Sequence, residues 1–292
     1  MMENGVCAVV ISFRPPAVVP ANLAKARPQV QGLVVVDNGS PAEALAPVAA
    51  VARELDCQLI ENGANLGIAA ALNIGVRWAR SQGFRFVALF DQDSTLSDGF
   101  IASMLRAYET DPRRESIAVV TPKHLELETG AWDPPAFAED GSPLTAITSG
   151  SLMPVGIFDR CGWFEEDLII DRVDDEYCLR ARSMGYRIVL CEDAFLHHSV
   201  GTPRMHSFLW LRQVKATHHG SRRYYYLTRN RIVMVKRYWR RHPRWCYLTA
   251  RSVARDLIVN FVVEDHKWSK LAATLRGIVD GLRGRMGMVV EL

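Results

Sequence analysis

The sequence predicts an α/β fold: an open, doubly wound, mostly parallel sheet with flanking helices, followed by a C-terminal helical region. Three observations predict it. Four continuous apolar runs recur in the first third of the chain, helix-like stretches separate them, and polar turn residues follow each run. Continuous apolar runs of strand length are the mark of parallel strands covered on both faces.

The runs are Val6 to Ile11, Gln31 to Val36, Cys57 to Ile60 and Phe86 to Phe90. The first three are rich in β-branched or aliphatic residues, and all four are short enough to be strands rather than helices. Ala42 to Leu55 and Ile68 to Arg80 read as helices, and the Ala-rich start of the second lets it pack closely on the sheet. Ligands of such sheets bind outside the carboxyl ends of the strands. Ser12-Phe13-Arg14, Asp37-Asn38-Gly39-Ser40, Asn65-Leu66-Gly67 and Asp91-Gln92-Asp93 all fall there. Any one cluster is also ordinary turn chemistry. Four on one edge point to a nucleotide crevice.

Beyond Val119 the pattern changes. Glu128 to Pro143 reads as loop, Leu144 to Val155 as strands around Thr148-Ser149-Gly150, and Val173 to Met184 as a helix ended by Gly185. Ile188 to Leu190 and Ala194 to His198 read as short strands. After Gly201 we expect mostly helices, over 220–239, 245–263 and 267–284.

Composition narrows the function classes. Six cysteines are scattered at 7, 57, 161, 178, 191 and 246 with no CxxC pair, which argues against a zinc site or disulfide framework and for a reducing compartment. The N-terminus lacks the charged and apolar pattern of a secretory signal, and no run approaches the ~18 apolar residues of a membrane span. The longest candidate, Leu257 to Val263, is interrupted by Asn260. We therefore expect a cytoplasmic protein. No GxGxxG follows the first strand and no Walker sequence is present, which weakens dehydrogenase and NTPase readings.

The net charge of +3 conceals an asymmetry. Residues 1–193 hold 16 Lys/Arg against 27 Asp/Glu, and residues 194–255 hold 14 Lys/Arg and no acid. So long an acid-free stretch suggests a surface for anions, either phosphates or an anionic membrane. Single-stranded nucleic acid fits poorly, because the crevice itself is acidic.

Two acidic clusters carry candidate chemistry. Asp91 and Asp93 stand one residue apart at a strand end, where a divalent cation would relieve their repulsion and substrate phosphates would complete its shell. In Asp171-Arg172-Val173-Asp174-Asp175-Glu176, the acids either serve the start of a helix or supply a general base that takes a proton from an acceptor hydroxyl. Adjacent strand residues point oppositely, so only one of His197 and His198 can face a site, where an imidazole would suit a Mn²⁺-like ion. Arg222 to Asn230 reads as an amphipathic helix or as a diphosphate contact.

Taken in order, these motifs resemble the family 2 glycosyltransferases of the GT-A fold, and more narrowly the bacterial rhamnosyltransferases of O-antigen and rhamnolipid synthesis. The residues that carry this are Val35 to Ser40, Asn65 to Asn73, Asp91-Gln92-Asp93-Ser94, Thr148 to Ser151, Val173 to Arg180, His198 to Gly201 and Arg223 to Asn230. The resemblance implies dTDP-L-rhamnose as donor, Mg²⁺ or Mn²⁺, inversion at the sugar, and a saccharide or lipid-linked acceptor. It implies donor-nucleotide contacts from Asp37, Asn38, Asn65, Gly67, Asn73, Asp91 and Gln92. Ser12 and Arg14 stand where the family usually has Thr-Tyr-Asn. Asp93 and His198 would hold the metal. Asp174 would be the base, with Asp175 and Glu176 as neighbours that compete for the role. Arg229 would touch the diphosphate.

The implied organisation is a GT-A catalytic domain over 1–205, with nucleotide-sugar binding in 1–120 and the acceptor side in 121–205, and a basic, mainly helical region over 206–292. Tyr238, Trp239, Trp245 and Tyr247 would sit at the inner face of an anionic membrane, or pack the C-terminal helices onto the catalytic domain or a second subunit. The alternatives are a UDP- or GDP-sugar donor on the same fold, or a non-catalytic protein at the membrane periphery.

Overall fold

The computed structural model describes residues 5–126, 130–198, 204–208, 211–216, 220–251 and 267–290; the side chains of residues 126, 197, 198, 204–208 and 211–216 are outside the description. By internal contacts the chain forms two units. One comprises Met1–Glu165 with Asp174–Ser199, and the other Glu166–Val173 with Val200–Leu292.

The first unit is built on an eight-stranded sheet in the order β3-β2-β1-β4-β7-β6-β8-β5. The four apolar runs become β1 (Val6–Ser12), β2 (Gly32–Asp37), β3 (Gln58–Glu61) and β4 (Phe86–Asp91), mutually parallel. Helices α2 (Ala42–Glu54) and α3 (Ile68–Ser81) lie between them in the chain. The small residues of α3 do what the sequence suggests: Ala69, Ala71, Gly75 and Ala79 are among its buried positions and the helix packs on β1 and β2. The remaining strands are β5 (Thr95–Leu96), β6 (Ile117–Glu126), β7 (Leu152–Pro154) and β8 (Arg187–His198). β7 runs antiparallel to β4 and β6, and β8 parallel to β6.

Register fixes the functional edge. Ser12 pairs with Asp37 and Asp37 with Glu61, while Asp91 lies beside Ile11. The carboxyl ends of the four parallel strands thus end on one row, so the polar clusters that follow them share an edge.

Several local expectations are corrected. Helix α1 (Val19–Ala26) was hidden by Pro15, Pro16 and Pro20, yet proline is tolerated in a helix's first turn, where the backbone N–H has no intrahelical acceptor. Residues 144–151 form an irregular segment and turn, and only Leu152–Pro154 is strand. The two short strands expected over 188–198 are one strand, β8, whose register against β6 shifts around Thr121 and Lys123. Glu192 and Asp193 broke its apolar pattern in the sequence. Helix α4 (Phe100–Glu109), unexpected from the sequence, buries Phe100, Ile101, Met104 and Tyr108. Helices α5 (Ile157–Cys161) and α6 (Val173–Ser183) follow, and Gly185 has φ +89° just beyond α6.

The second unit contains an antiparallel pair, β9 (Arg204–Phe208) and β10 (Leu211–Ala216), ahead of the first helix expected after Gly201 and not itself anticipated. Helices α7 (Ser221–Tyr238) and α8 (Lys267–Arg283) pack against each other. Residues 243–251 are helical, while the rest of the helix expected over 245–263, including Leu257 to Val263, lies outside the described residues, as do Glu128, Thr129 and Ser199 to Gly201. Tyr238 and Trp245 are buried, so only Trp239 and Tyr247 of the four aromatics proposed for an interface are exposed.

Candidate active site

Asp37 closes its own turn. Its Oδ2 accepts from Gly39 N (3.1 Å) and Ser40 N (2.8 Å), and its Oδ1 accepts from the Ser40 hydroxyl. Gly39 sits at φ +88°, and a Cβ there would be 2.5 Å from the Ala64 carbonyl carbon, so the turn admits only glycine. Ser40 Oγ in turn accepts from Arg14 N at 2.8 Å. Arg14 is exposed, with left-handed φ +47°.

Asn38 is buried and serves as the hub of the loop after β3. Its Nδ2 donates to Asn65 Oδ1 (3.0 Å) and the Gly67 carbonyl (3.2 Å), and its Oδ1 accepts from Asn62 Nδ2 (3.1 Å) and Leu66 N (3.1 Å). Asn65 Oδ1 also accepts from Gly67 N at 3.0 Å. These bonds hold the segment that enters α3 against the Asp37 turn. Asn73 is fully buried, its Nδ2 donating to the Phe164 carbonyl and its Oδ1 accepting from Phe164 N, both at 3.0 Å.

The Asp91-Gln92-Asp93 turn is fixed from three sides. Gln92 bonds to both polar groups of Phe13 and, through Oε1, accepts from the buried Ser12 hydroxyl at 3.4 Å. Asn22 Nδ2, on α1, donates to the Gln92 carbonyl (3.1 Å), and Asn22 Oδ1 accepts from Thr95 Oγ1 (2.9 Å). Asp91 N donates to Ser149 Oγ at 3.2 Å, and Ser94 and Ser149 hydroxyls lie 2.6 Å apart. Ser149, Ser94 and Asn22 were not singled out as site residues. The signal in the sequence was faint: small hydroxyls beside a glycine, and an asparagine in a proline-rich stretch. Asp91 and Asp93 both remain half-buried at the edge.

Topology brings the histidine strand to the same place. Thr95 pairs with His197, so the backbone of His198 ends beside the segment that leaves Asp93. A carboxylate and an imidazole-bearing residue at one sheet edge are donors that fit Mg²⁺ or Mn²⁺, with oxygen atoms of a bound diphosphate filling the rest of the shell. Among the described residues no three His, Cys, Asp or Glu side chains cluster as a self-contained metal site.

The Thr148 to Ser151 turn links this edge to the second acidic cluster. Ser149 holds Asp91 N, while Thr148 and Ser151 line a small cavity together with Asp174, Phe164, Tyr177 and Cys178. Asp174 is half-buried there, and its Oδ1 accepts from Asp175 N at 2.8 Å. Asp175 is buried. Glu176 is committed elsewhere. It is 1% exposed and bidentate to Arg180 (Nε–Oε1 3.1 Å, Nη2–Oε2 2.8 Å), which also donates to the carbonyls of Trp163 and Cys161. Burial pushes the Cys178 thiol and the Tyr177 hydroxyl far above their ordinary values, so neither is a ready base.

Arg229 belongs to the second unit and is fully buried. Its guanidinium donates to the carbonyls of Gly287 (2.6 Å), Asp167 (2.9 Å) and Leu168 (3.2 Å) and to Asn230 Oδ1 (2.9 Å). Asn230 Nδ2 donates to the carbonyls of Leu168, Ile170 and Asp171, and Arg223 pairs with Asp171 at 3.0 Å. Three residues of this loop, Ile169, Asp171 and Arg172, have φ between +63° and +66°. Non-glycine residues persist there only when surrounding bonds hold them. Arg229 is thus a clamp on a strained loop rather than an open anion site.

Residues 7–154 match the family model "Glycosyl transferase family 2". The chain belongs to that family. As a family 2 glycosyltransferase, it is 25% identical over 305 residues to the dTDP-rhamnosyl transferase RfbF of Shigella flexneri, with 98% of each chain covered. Its fold is that of GT-A glycosyltransferase structures. S. aureus TarS in complex with UDP-GlcNAc superposes with a TM-score of 0.61 at 14% identity, covering 94% of this chain and 81% of that one. The mannosyltransferase PcManGT of Pyrobaculum calidifontis, in complex with GDP-Man and Mn²⁺, gives 0.56 at 15%, covering 97% and 88%.

Proposed function

We propose that this glycosyltransferase moves L-rhamnose from dTDP-L-rhamnose to a hydroxyl of a saccharide or lipid-linked acceptor, with inversion and with Mg²⁺ or Mn²⁺ bound. The observation that carries the reading is the shared Thr148 to Ser151 turn, which binds the Asp91 backbone on one side and lines the Asp174 cavity on the other. One turn thus lies between Asp91 and Asp174, which supports reading the two acidic clusters as parts of one site. The donor sugar rests on the full-length similarity to a dTDP-rhamnosyl transferase.

In this reading Asp37 and the Asn38–Asn65–Gly67 frame bound the nucleotide end, with Ser12 and Arg14 at the first strand's mouth. Asp91 faces the ribose, while Asp93 and His198 hold the metal. When bound, the metal supplies positive charge for the leaving diphosphate. Asp174 takes the acceptor proton, because Glu176 is already neutralised by Arg180 and Asp175 is the more deeply buried of the remaining two. Gln92 and Asn73 act by holding backbone, and Arg229 holds the loop before α6. The acid-free basic stretch over 194–255 supports a peripheral contact with an anionic membrane face; none of the described helices is long and apolar enough to cross a bilayer.

A thermal-shift panel of dTDP, UDP and GDP with Mg²⁺ or Mn²⁺ tests the donor, since the right nucleotide at about 100 times its Kd adds roughly 2.7 kcal/mol. We expect dTDP to stabilise most and Asp93→Ala to remove the metal-dependent part. A larger shift with UDP or GDP would replace the donor assignment.

A further inference from the structure

Helix α8 has a buried face of small and polar residues, Lys270, Thr274, Gly277, Asp280 and Gly281, and an open apolar face. One packs on α7 through small residues: a Cβ at Gly277 would be 2.7 Å from the Tyr225 carbonyl oxygen, and one at Gly281 would be 2.9 Å from that of Arg229. The other face carries the large residues and is open. Trp268 is 80% exposed, Leu275 54%, Val279 43% and Leu282 58%, with Ala272 exposed between them. The spacing 268, 272, 275, 279, 282 is one continuous stripe on a helix. An apolar stripe this long on a surface helix marks an interaction site.

The charges around the stripe identify its partner. Lys267, Arg276, Arg283 and Arg285 are exposed on or just beyond α8. Over residues 267–290 the only acid is Asp280, which is buried, accepts from Tyr225 Oη at 2.8 Å and pairs with Arg276 at 3.8 Å. The open face is therefore apolar and bordered by Lys267, Arg283 and Arg285, with Arg276 paired to the buried Asp280 and no acid exposed beside it. Pairing with a second α8 would bring the borders no opposite charge, whereas an anionic lipid surface supplies it along the whole stripe. Trp239 and Tyr247, in the acid-free part of the same unit, are also exposed, and tryptophan and tyrosine are residue types that favour a lipid headgroup region.

We infer that the Trp268–Leu282 face of α8 is a peripheral membrane-docking surface that lies on anionic lipid. The inference names the surface for the membrane part of the proposed function, but it does not depend on the donor, the metal or turnover. Flotation of the full chain with vesicles of phosphatidylcholine alone, and of phosphatidylcholine mixed with phosphatidylglycerol, tests it without any transfer assay. We expect at least about tenfold tighter binding to the mixed vesicles, weakened by salt. Trp268→Glu/Leu275→Glu should lose that binding with an unchanged thermal midpoint, and Arg283→Glu/Arg285→Glu should lose the preference for the anionic lipid. Wild-type flotation by the Trp268/Leu275 variant would overturn the inference. So would a concentration-dependent dimer, seen by light scattering, that the same variant turns into monomers while the wild type ignores vesicles.

Discussion

Gln92 grips Phe13 by both of its backbone polar groups: Oε1 accepts from Phe13 N at 3.0 Å, and Nε2 donates to the Phe13 carbonyl at 3.1 Å. The residue between Asp91 and Asp93 is therefore a strut across the mouths of β1 and β4. Gln92→Glu keeps the shape but loses the donor and sets a carboxylate against a carbonyl oxygen. With each such bond worth about 1 kcal/mol, we expect a stability loss of about 1–2 kcal/mol and a several-fold rise in donor KM with kcat less affected. Urea unfolding and steady-state kinetics measure the two. Wild-type KM and stability in both Gln92→Glu and Gln92→Ala would remove the strut.

The acids at the start of α6 separate by their partners. Asp174→Asn is isosteric and leaves the Arg180–Glu176 pair intact, so kcat should fall by about 10² to 10⁴ with stability within about 0.5 kcal/mol of wild type. Glu176→Gln strips the charge from a 1%-exposed side chain and leaves Arg180 half-buried without its counterion. It should lower stability by about 2–3 kcal/mol, below the range for fully buried pairs because Arg180 keeps some solvent. Comparing kcat in each variant at a temperature where both are folded distinguishes base from brace. Equal losses of kcat would move the base assignment off Asp174.

How much of this was legible in the sequence follows from how local each signal is. The β1 to β4 strands are covered on both faces, so their apolar runs were unbroken and readable. The polar row at their carboxyl ends followed from strand direction alone. The roles of Gln92, Asn73 and Arg229 were not legible, because amides and guanidinium groups that bind ligands are the same groups that bind backbone carbonyls. What separates the cases is a partner 91 residues away for Asn73 or 62 for Arg229, and no local pattern records that. The hairpin β9–β10 was masked by its basic, non-alternating sequence. The hub role of Asn38 was hidden because Asp-Asn-Gly-Ser is also good turn chemistry on its own.

Arg229 gives the most direct test of clamp against anion contact. Lysine keeps the charge but has one nitrogen, and it cannot span the Gly287, Asp167 and Leu168 carbonyls together. Burial already pulls the Arg229 guanidinium below its ordinary pKa, so its bonds are what keep a charge tolerable there. We expect Arg229→Lys to lower stability by about 2–3 kcal/mol. In the folded variant the shift of the thermal midpoint on adding dTDP and Mg²⁺ should stay at its wild-type size. Loss of that shift alone, with the unliganded midpoint unchanged, would make Arg229 a diphosphate ligand.

Tyr177 should respond in the opposite direction. Its ring is 1% exposed and packs between Phe158 and Phe164, with centroids 5.4 and 4.8 Å away. Its hydroxyl is buried with no hydrogen-bond partner among the described residues. A buried hydroxyl of that kind forfeits its hydration for nothing, a penalty of about 1–3 kcal/mol. Phenylalanine retains the ring contacts and removes the orphaned group. Tyr177→Phe should therefore be neutral or stabilising by up to about 1 kcal/mol, a rise of a few degrees at most in a chain of this size. A partner supplied by a bound substrate or an ordered water would reverse the sign. The hydroxyl would then be worth its bond, and the variant would lose stability, or lose acceptor KM while keeping its thermal midpoint. Differential scanning calorimetry with and without dTDP, alongside acceptor kinetics, reads both quantities on the same protein.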